Sequence, residues 1–226
     1  MQLVQKEDLF QLVSVTNPVF SNDGRRFAFM TTTINEEKNR YEDVLYVSSL
    51  DGKEQYRLTQ GTEKIAMIQW SPSDTFITFL SSRSGSNQLH ALRLTGGEAE
   101  QWTSFEQGVD SYFWGNDETT IYLNKNKTDE KKEEHEFPQA VTIERLAYKA
   151  DGVGLVPERH LKAVFEWNVA EKKATLLIDS DYSVTAEAVS SDGEQLVLAM
   201  DQAEDPDRSF DRALYVYNTR TKEQQV

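Results

Sequence analysis

One pattern recurs along this chain and limits what it can become: an aromatic residue ends a short apolar run, a polar turn follows, and a second apolar run begins. The clearest copy spans Ile68 to Arg83. Trp70 ends the first run, Ser71-Pro72-Ser73-Asp74 makes the turn, and Phe76 to Leu80 resumes. Proline fixes φ in such a turn, while Ser and Asp side chains bond to nearby backbone. The run after the turn is rich in β-formers and almost unbroken by polar residues, which predicts a strand covered on both faces.

Three other copies follow the same order. The first has Phe20, a turn through Asp23-Gly24, a strand to Met30, then Asp43 to Ser48, the hairpin signal Asp51-Gly52 and a closing run from Gln55 to Thr59. The third begins at Trp114 and turns through Asn116-Asp117-Glu118, having lost both proline and glycine. The fourth turns at Asp192-Gly193 and continues through Gln195 to Met200 and Ala213 to Asn218. The turn aspartates Asp23, Asp74, Asp117 and Asp192 stand 51, 43 and 75 residues apart. A four-stranded propeller blade has a period of about 45 residues, so the third copy carries about 25 to 30 extra. These repeats predict an all-β fold of four antiparallel four-stranded blades, at 17–60, 64–103, 109–178 and 183–226. They form a partial β-propeller in one domain, 1–226. A β-sandwich is the competing architecture, but it does not require one strand order four times. Trp70 and Trp114 share a repeat position with Phe20, which assigns these aromatics to packing between blades rather than to ligand stacking.

The extra residues lie at about 124–160. They open with a charged run from Asn124 to Glu136, read as a solvated loop. The segment from Val141 to Gly154 mixes aromatic, basic and turn-forming residues and predicts a hairpin-like excursion.

Composition narrows the chemistry. With 24 Lys+Arg against 38 Asp+Glu the formal charge is −14, which opposes nucleic acid and anionic membranes as partners. No apolar run approaches the roughly 20 residues of a bilayer span. The start lacks the apolar core of a signal peptide, and zero cysteines suit a reducing compartment, so a cytoplasmic location is expected. There is no Gly-x-Ser-x-Gly elbow to expose a serine nucleophile and no cysteine. His90, His135 and His160 lack a partner at a telling spacing. Glu133-Glu134-His135-Glu136 lacks zinc-site spacing, and the carboxylates between Asp205 and Asp211 lack the EF-hand glycine, so no metal is expected. With no Gly-rich phosphate loop either, no cofactor is expected.

The Trp70-to-Asp74 and Phe20-to-Gly24 turns resemble those of several propellers, the TolB-like ones included. The stretch Arg145-Leu-Ala-Tyr148-Lys149-Ala-Asp151-Gly-Val-Gly154, followed by Arg159-His160-Leu161, is similar to the propeller of the prolyl oligopeptidase superfamily, acylaminoacyl-peptidase branch. That resemblance implies the N-terminal propeller portion of a two-domain serine peptidase. A downstream α/β-hydrolase domain would carry the Ser, Asp and His, and the propeller would admit only short peptides. It also implies a larger parent propeller, usually of seven blades, of which this would be a truncated part. Arg145, Tyr148, Lys149 and Asp151 are then candidates for a substrate gate or domain interface, against the plainer reading that they hold the inserted hairpin together. A stand-alone propeller that binds proteins is the alternative. Truncation carries one further expectation, self-association through apolar blade faces.

Overall fold

The structure, a computed structural model, describes residues 5–61, 64–128, 140, 142–143, 146, 148–151, 154–155, 160–203 and 211–225. After a short 3-10 helix (Lys6–Gln11), every described element is a strand. Sheet 1 is the meander β1 (Ser14–Phe20), β2 (Arg26–Asn35), β3 (Arg40–Ser49) and β4 (Gln55–Arg57). Sheet 2 repeats it with β5 (Ile65–Trp70), β6 (Phe76–Ser81), β7 (Gln88–Arg93) and β8 (Glu100–Gln101). Sheet 3 contains β9 (Ser111–Trp114), β10 (Thr120–Asn126), β13 (Lys162–Asn168) and β14 (Lys173–Leu176). Between β10 and β13 the chain leaves to form a separate hairpin, β11 (Lys149–Ala150) and β12 (Gly154–Leu155). Sheet 4 is β15 (Ser183–Val189), β16 (Gln195–Asp201), β17 (Arg212–Asn218) and β18 (Gln224–Gln225). All pairings are antiparallel, as short turns between consecutive strands require. The four blades expected from the repeats are these four sheets. They fall into two compact units, one through Ser111 and one from Tyr112.

Each unit has its own core between two sheets. In the first, Ala28, Met30, Leu45 and Val47 of sheet 1 meet Ile65, Ile68, Trp70 and Phe79 of sheet 2. In the second, Tyr122 and Val164 of sheet 3 meet Val184, Leu198, Tyr215 and Tyr217 of sheet 4. Strands buried on both faces explain the unbroken apolar runs: in β6, Ile77 and Phe79 face sheet 1, while the whole run from Ile77 to Ser81 is buried. A fully buried aliphatic or aromatic side chain contributes about 1.5–3 kcal/mol. The first strands of sheets 1 and 2 bulge at the same place, where Asn17 and Met67 have φ of 53° and 52°. An extra residue there increases local twist.

The turns repeat at atomic detail. Ser21, Ser71, Gly115 and Ser190 each donate a backbone N–H to the carbonyl five residues on, at 2.8–3.0 Å. In the first and fourth copies the serine hydroxyl also donates to Asp23 or Asp192, at 2.7 and 2.5 Å, and each carboxylate accepts a backbone N–H two residues on. These bonds, led by the serine hydroxyl, hold both carboxyls below the ordinary aspartate value. The third turn has Gly115 instead of serine, so Asp117 alone accepts the N–H groups of Thr119 and Thr120. This explains how it survives the loss of proline and glycine.

One detail departs from the sequence alignment. Counting from the shared bond, Asp74 stands in the place of Gly24 and Gly193, and Ser73 in the place of Asp23. All three residues at that place have positive φ, 57°, 67° and 72°. The sequence aligned Asp74 with Asp23 because both are aspartates; the backbone aligns it with glycine. The packing aromatics differ as well: Trp70 and Trp114 are buried, but Phe20 is exposed.

Candidate functional site

Asp74 is free to do something its glycine counterparts cannot. Its Oδ1 accepts the backbone N–H and side-chain Nδ2 of Asn22, at 2.8 and 2.9 Å, and its Oδ2 accepts the N–H of Asp23 at 2.9 Å. Asn22 Nδ2 also donates to the Ser71 carbonyl at 2.9 Å, and Trp70 Nε1 to the Val19 carbonyl at 2.9 Å. The Arg26 guanidinium lies 5.2 Å from the Trp70 ring. Turn 2 is thereby fastened to turn 1. In the second unit Asn116, which matches Asn22, donates its amide to the Asp192 carbonyl. A Cβ on Gly193 would lie only 2.5 Å from that amide carbon, so this glycine is fixed by contact as well as by φ.

Deeper polar links accompany the turns. Asn124 on β10 donates to the Ala186 carbonyl and accepts its N–H, both at 2.8 Å, so that one side chain satisfies both backbone groups of Ala186 beside the bulge of β15. Thr59 and Thr103 follow the last strands of sheets 1 and 2 and accept the N–H of Leu45 and Leu89, at 3.0 and 2.9 Å. Gln88 accepts from Thr103 and Phe105 and donates to Ser86 and the Phe105 carbonyl. The sequence reading missed Asn22, Asn116, Thr59, Thr103 and Asn124. Four of these carried a signal: Asn22 and Asn116 stand at the same turn place, and Thr59 and Thr103 just past the last strand of their sheets.

The inserted hairpin is the irregular feature. At its base, the Lys127 N–H donates to the Leu161 carbonyl at 2.8 Å, and its ammonium binds the Ser180 carbonyl at 2.8 Å and Asp179 at 2.6 Å. Beside it, the ammonium of buried Lys125 lies 4.4 Å from the Phe165 ring centre. Lys149 pairs with Leu155 and Ala150 with Gly154. Tyr148 precedes the first strand and Asp151 sits in the turn, so the structure gathers Tyr148, Lys149 and Asp151 on one short excursion, all exposed. Ile143, Leu146 and Leu155 are exposed there too. Arg145 lies outside the described residues, as does His135. Of the other histidines, His90 is buried in β7, its ring stacked 5.7 Å from Phe79, and His160 is exposed at the end of the insertion. The hairpin has the means for contact, with an aromatic, opposite charges and apolar side chains in solvent.

Repeated four-stranded antiparallel meanders with this inserted hairpin define a β-propeller portion. The sequence relative it matches is named as a peptidase. The chain is 28% identical, over 223 residues and 95% of its length, to the uncharacterized peptidase YuxL of Bacillus subtilis (strain 168). It spans about a third of that relative, 34% of its length. The acylaminoacyl peptidase of Pyrococcus horikoshii superposes with a TM-score of 0.73 at 14% identity, covering 97% of this chain and 33% of that one. A prolyl endopeptidase gives 0.62 at 15% identity, covering 97% and 30%. No family model matches the chain.

Proposed function

We propose that this chain is the non-catalytic propeller portion of an acylaminoacyl-peptidase-like serine peptidase of the cytoplasm, where it limits a downstream hydrolase domain to short peptides. The observation that carries this reading is the sequence match along 95% of the chain to a peptidase of which it spans only 34%. The absence of cysteine supports the compartment. In this reading the parent cleaves an N-acylated or other N-terminal residue from a peptide through an acyl-enzyme. A serine attacks the carbonyl, a histidine takes its proton and returns it to the leaving amine, and water completes the cycle. The propeller supplies none of those groups. It acts by restricting which chains reach them, and Tyr148, Lys149 and Asp151, with Arg145, contact the hydrolase domain or the entering peptide.

Two experiments test this. The full reading frame should encode Gly-x-Ser-x-Gly downstream, followed by Asp and His; a stop directly after Val226 would favour the interaction module instead. A separately produced hydrolase domain should cleave long and short peptides alike, and adding this chain should suppress the long ones. Unchanged selectivity, with no binding between the two, would refute the gate.

A further inference from the structure

The connection between the second and third strands of sheet 2 is held by the segment that follows that sheet. Ser86 and Gln88 both donate to the Phe105 carbonyl, at 3.1 and 2.6 Å, and the Asn87 carbonyl accepts the Val109 N–H at 2.7 Å. In sheet 3 the same connection has grown into the insertion, and its base is held in the same way with other chemistry. The Lys127 N–H donates to the Leu161 carbonyl at 2.8 Å, closing the base with one backbone bond. A single bond fixes the separation of the two strands but leaves the excursion free to pivot about it. Two further links, one on each strand, remove that freedom. On the departing strand the Lys127 ammonium donates to the Ser180 carbonyl at 2.8 Å and pairs with Asp179 at 2.6 Å. On the returning strand the Lys162 N–H donates to Ser183 Oγ at 3.1 Å. Ser180 and Ser183 lie on the approach to and the start of β15, and Ser180 Oγ accepts the Tyr182 N–H at 3.0 Å, which stiffens that approach. The insertion is therefore oriented by the entry to sheet 4, not by sheet 3 alone.

We infer that Lys127 and Ser183 are positioning residues for the inserted hairpin: they fix the direction in which the excursion leaves sheet 3, and so where Tyr148, Lys149 and Leu155 meet a peptide. The Asp179 side chain is 77% exposed, and ion pairs in solvent contribute little to stability. A link of this kind therefore acts on direction more than on the fold. The hairpin side chains it aims are themselves in solvent, Tyr148 and Leu155 among them. The effect on substrates rests on the peptidase reading above; the effect on the hairpin does not.

The chain has no cysteine, so Leu155→Cys on β12 and Glu171→Cys between β13 and β14 give a clean pair of spin-label sites. Double electron–electron resonance on the 226-residue chain should give one narrow distance distribution. Lys127→Met and Ser183→Ala should each broaden or shift it, while Lys127→Arg, still a cationic donor, should keep it narrow. Thermal midpoints near the parent's check that sheets 3 and 4 stay folded. An unchanged distribution in either Lys127→Met or Ser183→Ala overturns the inference. With the separately produced hydrolase domain, Lys127→Met in place of the parent chain should raise cleavage of long over short peptides about two- to fivefold, the shift that loss of one exposed link can give. Lys127→Arg should restore the parent's ratio. A distribution that broadens while parent and variant exclude long peptides equally also overturns the inference. A parent chain that excludes none refutes the peptidase reading instead, and the distance distributions then decide the positioning role alone.

Discussion

Replacing Asp74 by glycine sets two effects against each other. The substitution removes a side chain from φ 57°, a conformation that costs an L-residue about 1–2 kcal/mol, less for Asp. Glycine returns about 0.5–1 kcal/mol of that through its greater freedom in the unfolded chain. The local backbone effects therefore nearly cancel. The remaining loss is the carboxylate, which accepts the N–H groups of Asn22 and Asp23 and the Asn22 amide. Hydrogen bonds to a charged group contribute about 1.5–3 kcal/mol each, but these groups are partly wet and water replaces some of what is lost. A net destabilisation of about 2 kcal/mol follows, or about 4–8 °C in Tm for a chain of this size. Asp74→Asn keeps an oxygen acceptor and tolerates positive φ, so it should lose about half as much. Thermal unfolding of the three proteins gives the order, and amide exchange locates it: the Asn22 and Asp23 amides should exchange faster in Asp74→Gly. A glycine variant as stable as the parent, with those amides still protected, would show that strain at φ 57° outweighs the cross-turn bonds and refute the reasoning.

Other substitutions probe the deeper links. Asn124→Ala strands a buried N–H and carbonyl at Ala186 and should cost about 2–4 kcal/mol in chemical denaturation. Trp70→Phe restores the aromatic of the first copy but loses the bond to the Val19 carbonyl, about 1 kcal/mol; a loss above about 3 kcal/mol would mean that ring volume dominates. Burial, then the nearby Glu166 charge, raises the Tyr122 hydroxyl to about 12 from 10.0. The folded state thus keeps a proton that the unfolded state releases, and stability should fall as pH rises from about 10 to about 12; Tyr122→Phe should reduce this effect but not remove it, because burial raises Tyr217 as well. For Asp23 and Asp192 the sign is opposite. Their folded values lie below 3.8, so their contribution is present above that pH and disappears as pH falls through the folded value. Carbon-detected titration should show both midpoints depressed, with Ser21→Ala moving Asp23 back toward 3.8.

The blade pattern was legible because a short polar turn between buried strands leaves a local signature, readable from Phe20, Trp70 and Trp114 without tertiary knowledge. What sequence could not supply was register within the turn. Asp74 was paired with Asp23 by identity, whereas backbone hydrogen bonds pair it with Gly24, and only that placement lets its carboxylate reach the neighbouring turn. Asn124 was hidden for a similar reason: its partner is the backbone of Ala186, 62 residues away, and no spacing rule announces a contact made through a bulge. The candidate gate was visible only as an irregularity. Tyr148, Lys149 and Asp151 do share one hairpin, but exposure and charge alone do not name what they touch.

The turn fasteners also bear on how such a chain can be rearranged. Asn22 and Asn116 supply the amide, while the alternate turns carry Pro72 and Ser191 at that place, neither of which has one. Donor and acceptor blades thus alternate, and each compact unit contains one of each. A recombination event that moves two neighbouring sheets together transfers a complete lock and key. One that moves a single sheet separates them, so pairs of blades, rather than single ones, are the natural currency of exchange for this architecture.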